Sequence, residues 1–359
     1  MIDPALFEEN ERTAPSVDGR NIVSIGPIEC ECGKTLNNVS VAYETWGTLN
    51  LDSSNAVLVC HALSGDSHAI GWWDRLIGPG KAIDTEKYFV IGTNCLGGCQ
   101  GTTGPSSLNE EGKAYGSSFP MVTVGDIVEV QMRLLNILGI EKLLCVAGGS
   151  MGGMQALEWT VRFPTRVAKA FVTASCAKHS PMQIAINEVG RQAILRDPNY
   201  QGGDYYEGVA PSHGLSVARM IGHISFLSSA AFESKFSRRL QDKESFSMDF
   251  GIEFEVESYL SYQGDKFTTR FDPNSLLHLT RAIDYYEWKN VDRAEAEFLF
   301  VSFTSDWLYT TSQSAELLQM TKDASTACNH VEIDLPFGHD SFLIDDGAQA
   351  IVLSQFLAS

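Results

Sequence analysis

The run Val146-Ala147-Gly148-Gly149-Ser150-Met151-Gly152-Gly153 sets a serine in the pattern G-x-S-x-G, with Gly148 and Gly152 as its outer members. The apolar run LLCVA (143–147) precedes it and a helical run follows. A serine on such a strand-to-helix turn is lifted above a sheet, beside the positive end of the next helix, where it can attack a carbonyl carbon. Composition alone produces the bare pattern in about one chain in ten of this length. The strand and helix on its correct sides carry the argument. A serine hydroxyl is a poor nucleophile until a base takes its proton, and that base works best when a carboxylate orients it. Asp306, in Phe303-Thr304-Ser305-Asp306-Trp307, lies just past the apolar run FLFVSF (298–303). His339, in Pro336-Phe337-Gly338-His339-Asp340, lies just past VEIDL (331–335). All three residues fall at C-terminal ends of strand-like segments. Among the other histidines, His179, His213, His223 and His278 sit in a helical stretch where core or surface roles are the default, and His61 and His68 precede the serine.

The elements that must position these residues alternate in period. Strands are expected at 39–44, 56–60, 88–92, 143–147, 168–173, 298–303 and 330–335. Those near 58, 145, 170 and 300 are almost continuous apolar runs, as in strands covered on both faces. Helices are expected at 124–138, 151–163, 312–320 and 347–357. The alternation predicts an α/β fold, a mostly parallel sheet flanked by helices. Residues 177–296 read differently: Ser180-Pro181 marks an N-cap and first-turn proline for a helix to 195, followed by helical runs at 215–227, 230–240, 254–262 and 274–288. The reading is therefore a core of residues 1–176 and 297–359, with a helical lid at 177–296. Serine, then acid, then histidine along the chain is the order of the α/β-hydrolase fold. In that fold the loop after the first buried strand supplies one oxyanion-hole amide and the residue after the nucleophile supplies another. Leu63 N–H, in the loop His61–Asp66, and Met151 N–H are the expected pair, with the side chain of His61 read as structural.

The 359 residues carry 26 Lys+Arg against 45 Asp+Glu, a formal charge of −19, with a pI near 4.8. That balance excludes nucleic acid or an anionic membrane as a principal partner, since no basic stripe is present to neutralise phosphates. Apolar residues at 44% and charged residues at 20% belong to a folded chain, not a disordered one. No run approaches the 18 apolar residues of a membrane span. The start MIDPALFEEN is acidic without an apolar stretch, so a cytoplasmic protein is expected, its first 20 or so residues a loosely held arm. The eight cysteines read as buried thiols, not a disulfide framework. Cys95 and Cys99 lack a partner pair at finger spacing, so no metal is expected.

Eight blocks in register then resemble one family: HALSGDSHA (61–69), GGCQGTTGPSS (97–107), YGSSFP (115–120), GGSMGGMQALEW (148–159), ARMIGHISFLS (218–228), DPNSLLHLTRAIDYY (272–286), SDWLY (305–309) and GHDSFL (338–343). The chain is similar over nearly its whole length to the homoserine O-acyltransferases, enzymes of methionine biosynthesis. The resemblance implies a triad of Ser150, Asp306 and His339, matching the residues chosen above. It also implies substrate contacts from Arg219 and Asp340, charges suited to the carboxylate and ammonium of an amino acid. The implied small-molecule substrates are L-homoserine and acetyl-CoA, the latter a co-substrate, so that no cofactor is required. A homodimer assembled through the helical insertion is implied as well. An acetyl rather than succinyl donor is expected, because Gly101-Thr102-Thr103-Gly104-Pro105 looks like the acetyl-using branch. In addition, the loops 61–69, 97–107 and 149–154 contain no Lys or Arg to hold a second carboxylate. Two alternatives stay open: a succinyl-transferring relative acting on homoserine or serine, and an esterase or thioesterase of the same fold. The segment Tyr309-Thr310-Thr311 departs from the Phe-Pro-rich sequence usual in the family, and Phe337 is a smaller departure.

Overall fold

The computed structural model describes residues 19–344 and 347–359; the arm expected over the first 20 residues lies almost wholly outside them. Among the described residues there are ten strands: β1 (Asn21–Glu29), β2 (Thr35–Trp46), β3 (Ala56–Cys60), β4 (Ile77–Gly78), β5 (Ile83–Asp84), β6 (Phe89–Thr93), β7 (Leu143–Gly149), β8 (Val167–Thr173), β9 (Glu297–Phe303) and β10 (Cys328–Ile333). Eight of them form one sheet in the order β1-β2-β6-β3-β7-β8-β9-β10, and β4 and β5 pair separately. From β6 to β10 every neighbour is parallel, while β1–β2 and β2–β6 are antiparallel.

The continuous apolar runs explain the centre of this sheet. In β3, Ala56, Leu58 and Cys60 enter one core cluster while Val57 and Val59 enter the other. In β9, Phe298 and Phe300 face the first and Leu299, Val301 and Phe303 the second. Both faces are covered by helices, so a strand that alternated with polar residues would bury unpaired groups. Strand β1 has no such signature. Its residues are mostly exposed or half-buried, which left it outside the expected set.

Between β8 and β9 no strand enters the sheet. The interval instead holds helices Pro181–Leu195, Ser212–Phe226, Ser229–Lys235, Glu255–Thr268 and Pro273–Tyr285. Ser180 closes a capping box with Gln183 ahead of Pro181, as its sequence suggested. The two largest differences in boundary are at helix C-terminal ends. The helix expected to reach residue 240 stops at Lys235, because the chain turns left-handed at Ser237 (φ +46°). The helix expected to end at 262 runs to Thr268, carrying Phe267 into the core. Among the described residues no single helix is long and apolar enough to cross a membrane.

Candidate active site

Because β7, β9 and β10 run parallel, the segments leaving their C-terminal ends gather on one edge of the sheet. Ser150 follows β7 directly and starts the helix Met151–Arg162, with φ +56° and ψ −123°. Its N–H donates to Thr173 O across the neighbouring strand end (3.1 Å), and its own carbonyl accepts from Ser175 Oγ (2.8 Å). The flanking glycines answer to crowding. A Cβ on Gly152 would lie 2.1 Å from the Cys60 carbonyl oxygen, and one on Gly148 would lie 2.2 Å from that of Gly152. Only glycine lets β3, the turn and the helix approach this closely.

Asp306, 4% exposed, accepts the backbone N–H groups of Leu308 and Tyr309 at Oδ1 (3.0 and 2.8 Å). Its Oδ2 lies 2.8 Å from Nδ1 of the buried His339. A carboxylate at Nδ1 fixes the proton there and leaves Nε2 as the basic nitrogen. The Tyr309 ring stacks on the imidazole, centroids 4.7 Å apart and planes at 21°.

Ser150, His339, Leu63, Arg219 and Asp340 all line one cavity of about 170 Å³. Met151 is buried at the first position of the helix after Ser150. Neither the Leu63 nor the Met151 N–H donates to a protein acceptor among the described residues. The expected site residues are thus brought together from five separate parts of the chain. His61 instead ties two loops, its Nε2 accepting from Cys95 N–H (3.0 Å).

The charges in the cavity have no ordinary solvation. Burial, aided by the neighbouring Arg270 and opposed by Asp340, brings the Arg219 guanidinium down to about 10. Burial raises the Asp340 carboxyl above the usual range despite the pull of His339 and Arg219. Arg219 reaches Ser64 Oγ at 3.4 Å and lies over the Phe267 ring (4.6 Å), but its buried Nε has no hydrogen-bond partner. A buried donor without a partner is disfavoured unless a ligand supplies the acceptor.

The three loops around the serine lack Lys and Arg, yet Arg270 enters the same cavity from the helical segment and donates Nη1 to Ser64 O (3.0 Å). A cation therefore stands near the acyl pocket. His179, Asp284 and Tyr309 were also not singled out as site residues by the sequence reading. His179 and Tyr309 line the cavity, and Asp284 bonds His179 behind it. Among the described residues no group of His, Cys, Asp and Glu is arranged to hold a metal ion.

The family described as "alpha/beta hydrolase fold" matches residues 55–346. A homoserine O-acetyltransferase of Methanohalobium evestigatum is 52% identical over 345 residues, covering 91% of this chain and 71% of that protein. The chain belongs to the homoserine O-acetyltransferase family. Among solved structures, a homoserine O-acetyltransferase from Bacillus anthracis superimposes with a TM-score of 0.88 at 27% identity, covering 95% of this chain and 97% of that one. Esterase E22 superimposes as well, with a TM-score of 0.87 at 30% identity over 94% of this chain and 99% of the other. A similar frame is thus found in both a transferase and an esterase.

Proposed function

We propose that the protein is a homoserine O-acetyltransferase that moves acetyl from acetyl-CoA to the hydroxyl of L-homoserine, a step of methionine biosynthesis, through an acetyl-serine. Ser150 Oγ attacks the thioester carbonyl while its proton passes to His339 Nε2. The tetrahedral oxyanion takes hydrogen bonds from Leu63 and Met151 N–H. Collapse expels the CoA sulfur, which receives that proton. The homoserine hydroxyl then gives its proton to His339, attacks the acetyl carbon, and returns the proton through the imidazole to Ser150 Oγ. Asp306 holds the imidazole in the tautomer that both attacks need. Arg219 grips the amino acid's carboxylate and Asp340 its ammonium group. The helical segment excludes water from the acetyl-serine. The reading has the enzyme working as a homodimer in the cytoplasm, without a nucleic-acid or membrane partner.

The observation that carries this reading is that Arg219 and Asp340, opposite charges and both half-buried, line the cavity that also holds Ser150 and His339. A simple ester has no use for both charges. The likeness to esterase E22 favours hydrolysis as the second reading. Free thiol is followed with acetyl-CoA or succinyl-CoA, each with and without homoserine or serine, alongside mass spectrometry of the protein. Thiol release that requires homoserine, together with an acetyl adduct on Ser150 when homoserine is omitted, is the expected result. Sustained release without any amino acid supports the hydrolase, and an adduct on a cysteine refutes the serine assignment. A higher kcat/KM with succinyl-CoA refutes the donor.

A further inference from the structure

Each of the two amides expected to form the oxyanion hole belongs to a peptide whose carbonyl is held from behind by a buried side chain. A trans peptide is planar, so its N–H points opposite to its C=O, and whatever fixes the oxygen fixes the direction of the hydrogen. Among the described residues every peptide bond is trans. The Leu63 N–H shares a peptide with the Ala62 carbonyl, and the Met151 N–H shares one with the Ser150 carbonyl. Ala62 O lies 2.6 Å from His61 Nδ1. Ser150 O accepts from Ser175 Oγ at 2.8 Å. His61 and Ser175 are both buried, and neither lines the cavity.

Valence settles the donor in each bond. A backbone N–H only donates, and the Cys95 N–H lies 3.0 Å from His61 Nε2, so Nε2 carries the lone pair and the ring proton sits on Nδ1. Burial keeps the imidazole neutral by lowering its affinity for a second proton, against the pull of the Ala62 carbonyl and Asp66. The Nδ1–H therefore donates to Ala62 O, which also accepts the Gly65 N–H (2.9 Å) and closes the turn 62–65. In the second bond the carbonyl oxygen only accepts, so the Ser175 hydroxyl donates. The Gly153 and Met154 N–H groups reach the same Ser150 oxygen at 3.0 and 3.3 Å. Ser175 arrives there because the chain turns left-handed at Ala174 (φ +46°), just past β8. Gln155 links the two segments, its Nε2 donating to His61 O (3.1 Å) and to Met151 O (3.3 Å).

We propose that His61 and Ser175 are positioning residues that aim the two oxyanion-hole amides, His61 directing the Leu63 N–H and Ser175 the Met151 N–H at the oxygen of the tetrahedral intermediate. The inference rests on the acyl-serine reading and on Leu63 and Met151 as its donors. Among the described residues neither N–H has a protein acceptor, so their orientation is set from the carbonyl side. A hydrogen bond to a peptide oxygen also polarises the whole unit and strengthens its N–H as a donor. The oxyanion forms in both half-reactions, first on the thioester and then on the acetyl-serine, so both residues serve both steps. Neither exchanges a proton with a substrate; His339 remains the base.

The test separates aiming from loop packing. Acylation by acetyl-CoA and transfer from the acetyl-enzyme to homoserine are measured as single turnovers for the wild type, Ser175→Ala, His61→Asn and His61→Gln. The carbonyl stretch of the acetyl-enzyme formed without homoserine is read by infrared difference spectroscopy with isotope-labelled acetyl. Ser175→Ala leaves the Gly153 and Met154 N–H bonds to Ser150 O, so the turn persists. The two histidine variants divide the bonds of the ring. An Asn amide N–H can stand where Nδ1 stood and donate to Ala62 O, whereas a Gln amide oxygen stands where Nε2 stood and keeps only the tie to Cys95. Ser175→Ala and His61→Gln should each slow both half-reactions by about tenfold, short of the roughly 10²–10³ lost when an oxyanion donor is removed outright. His61→Asn should lose less than His61→Gln. The acetyl carbonyl of the two slower variants should move to higher wavenumber, because a carbonyl that accepts weaker hydrogen bonds is a stiffer double bond. His61→Gln faster than His61→Asn, an unshifted carbonyl in the slower variants, or a loss confined to one half-reaction would overturn the proposal. A wild type that forms no acetyl-Ser150 would instead overturn the acyl-serine reading beneath it. A wild-type carbonyl stretch equal to that of an ester in water would overturn Leu63 and Met151 as donors.

Discussion

Ser150 sits where an L-residue is disfavoured, and that makes the turn's stored strain measurable. With φ +56° and ψ −123° it occupies the first central position of a II′-like turn, where glycine is preferred. Holding a side chain in such a sparsely populated region costs on the order of 1–3 kcal/mol. Ser150→Ala keeps the Cβ and hence the strain. Ser150→Gly removes the Cβ and releases it, less the roughly 0.5–1 kcal/mol by which glycine loosens the unfolded chain. The glycine variant is therefore expected to be more stable than the alanine variant by about 0.5–2 kcal/mol, although neither can carry an acyl group. For a chain of this length that is a rise of roughly 1–3 °C in melting temperature, so urea titration followed by tryptophan fluorescence is the more sensitive assay. Comparing the two variants with each other cancels the loss of the hydroxyl. Equal stability, or a less stable glycine variant, would show that the turn is not strained at Ser150.

Three further outcomes follow from the same geometry. Gly152→Ala would place a Cβ 2.1 Å from the Cys60 carbonyl oxygen, and since backbone cannot yield there the variant should lose several kcal/mol or fail to express soluble; a wild-type melting curve refutes the crowding argument. Arg219→Ala and Asp340→Ala should slow transfer from the acetyl-enzyme to homoserine by about tenfold to a hundredfold, each being a charge-assisted contact of about 1.5–3 kcal/mol, while acetylation by acetyl-CoA changes only a few-fold. Equal losses in the two steps would mean these charges do not hold the amino acid. Burial, then repulsion from Arg219, presses the His223 imidazole down to about 2. The unfolded chain therefore binds a proton below about pH 6.5 that the folded chain refuses, and stability falls by about 1.4 kcal/mol per pH unit as the pH drops from there. His223→Gln should flatten that slope between pH 6.5 and 5 in urea titrations, and an unchanged slope refutes the assignment.

What could be read from the residues alone was whatever the backbone period or local chain order encodes. Strand β7, the Ser150 turn and its helix form a contiguous stretch, and the strand-end positions of Asp306 and His339 follow from the apolar runs before them. The parallel sheet then needs only its crossover rule to bring those three ends to one edge. The edge strand β1 escaped because a strand exposed on both faces has no apolar signature. His179, Asp284 and Arg270 escaped for another reason. They lie in the helical segment, where periodicity distinguishes a buried face from an exposed one but not which buried polar residue turns toward the cavity. Asp284 and His179 lie 105 positions apart in sequence, and no local pattern links them.

Arg270 changes what the cavity can say about the acyl group. The loops around the serine carry no cation, and the helical segment supplies one, Arg270. Arg270 is not idle there, because its Nη1 is bonded to Ser64 O and its own carbonyl accepts from Gln100 Nε2 (2.5 Å). Its backbone is pinned and its guanidinium is partly engaged, and burial lowers its affinity for the proton while the attraction of Asp66 works against that fall. A succinyl carboxylate would have to compete with Ser64 for a cation that also repels Arg219. The two guanidiniums share Ser64 as a neighbour, one through its hydroxyl and one through its carbonyl. An anion on Arg219 alone would relieve part of that repulsion, and one carboxylate is what an amino-acid acceptor brings. The cavity's charges are thus matched by an acceptor with one carboxylate and one ammonium group together with a neutral acyl group, whereas a dicarboxylic acyl group would have to share Arg270 with Ser64.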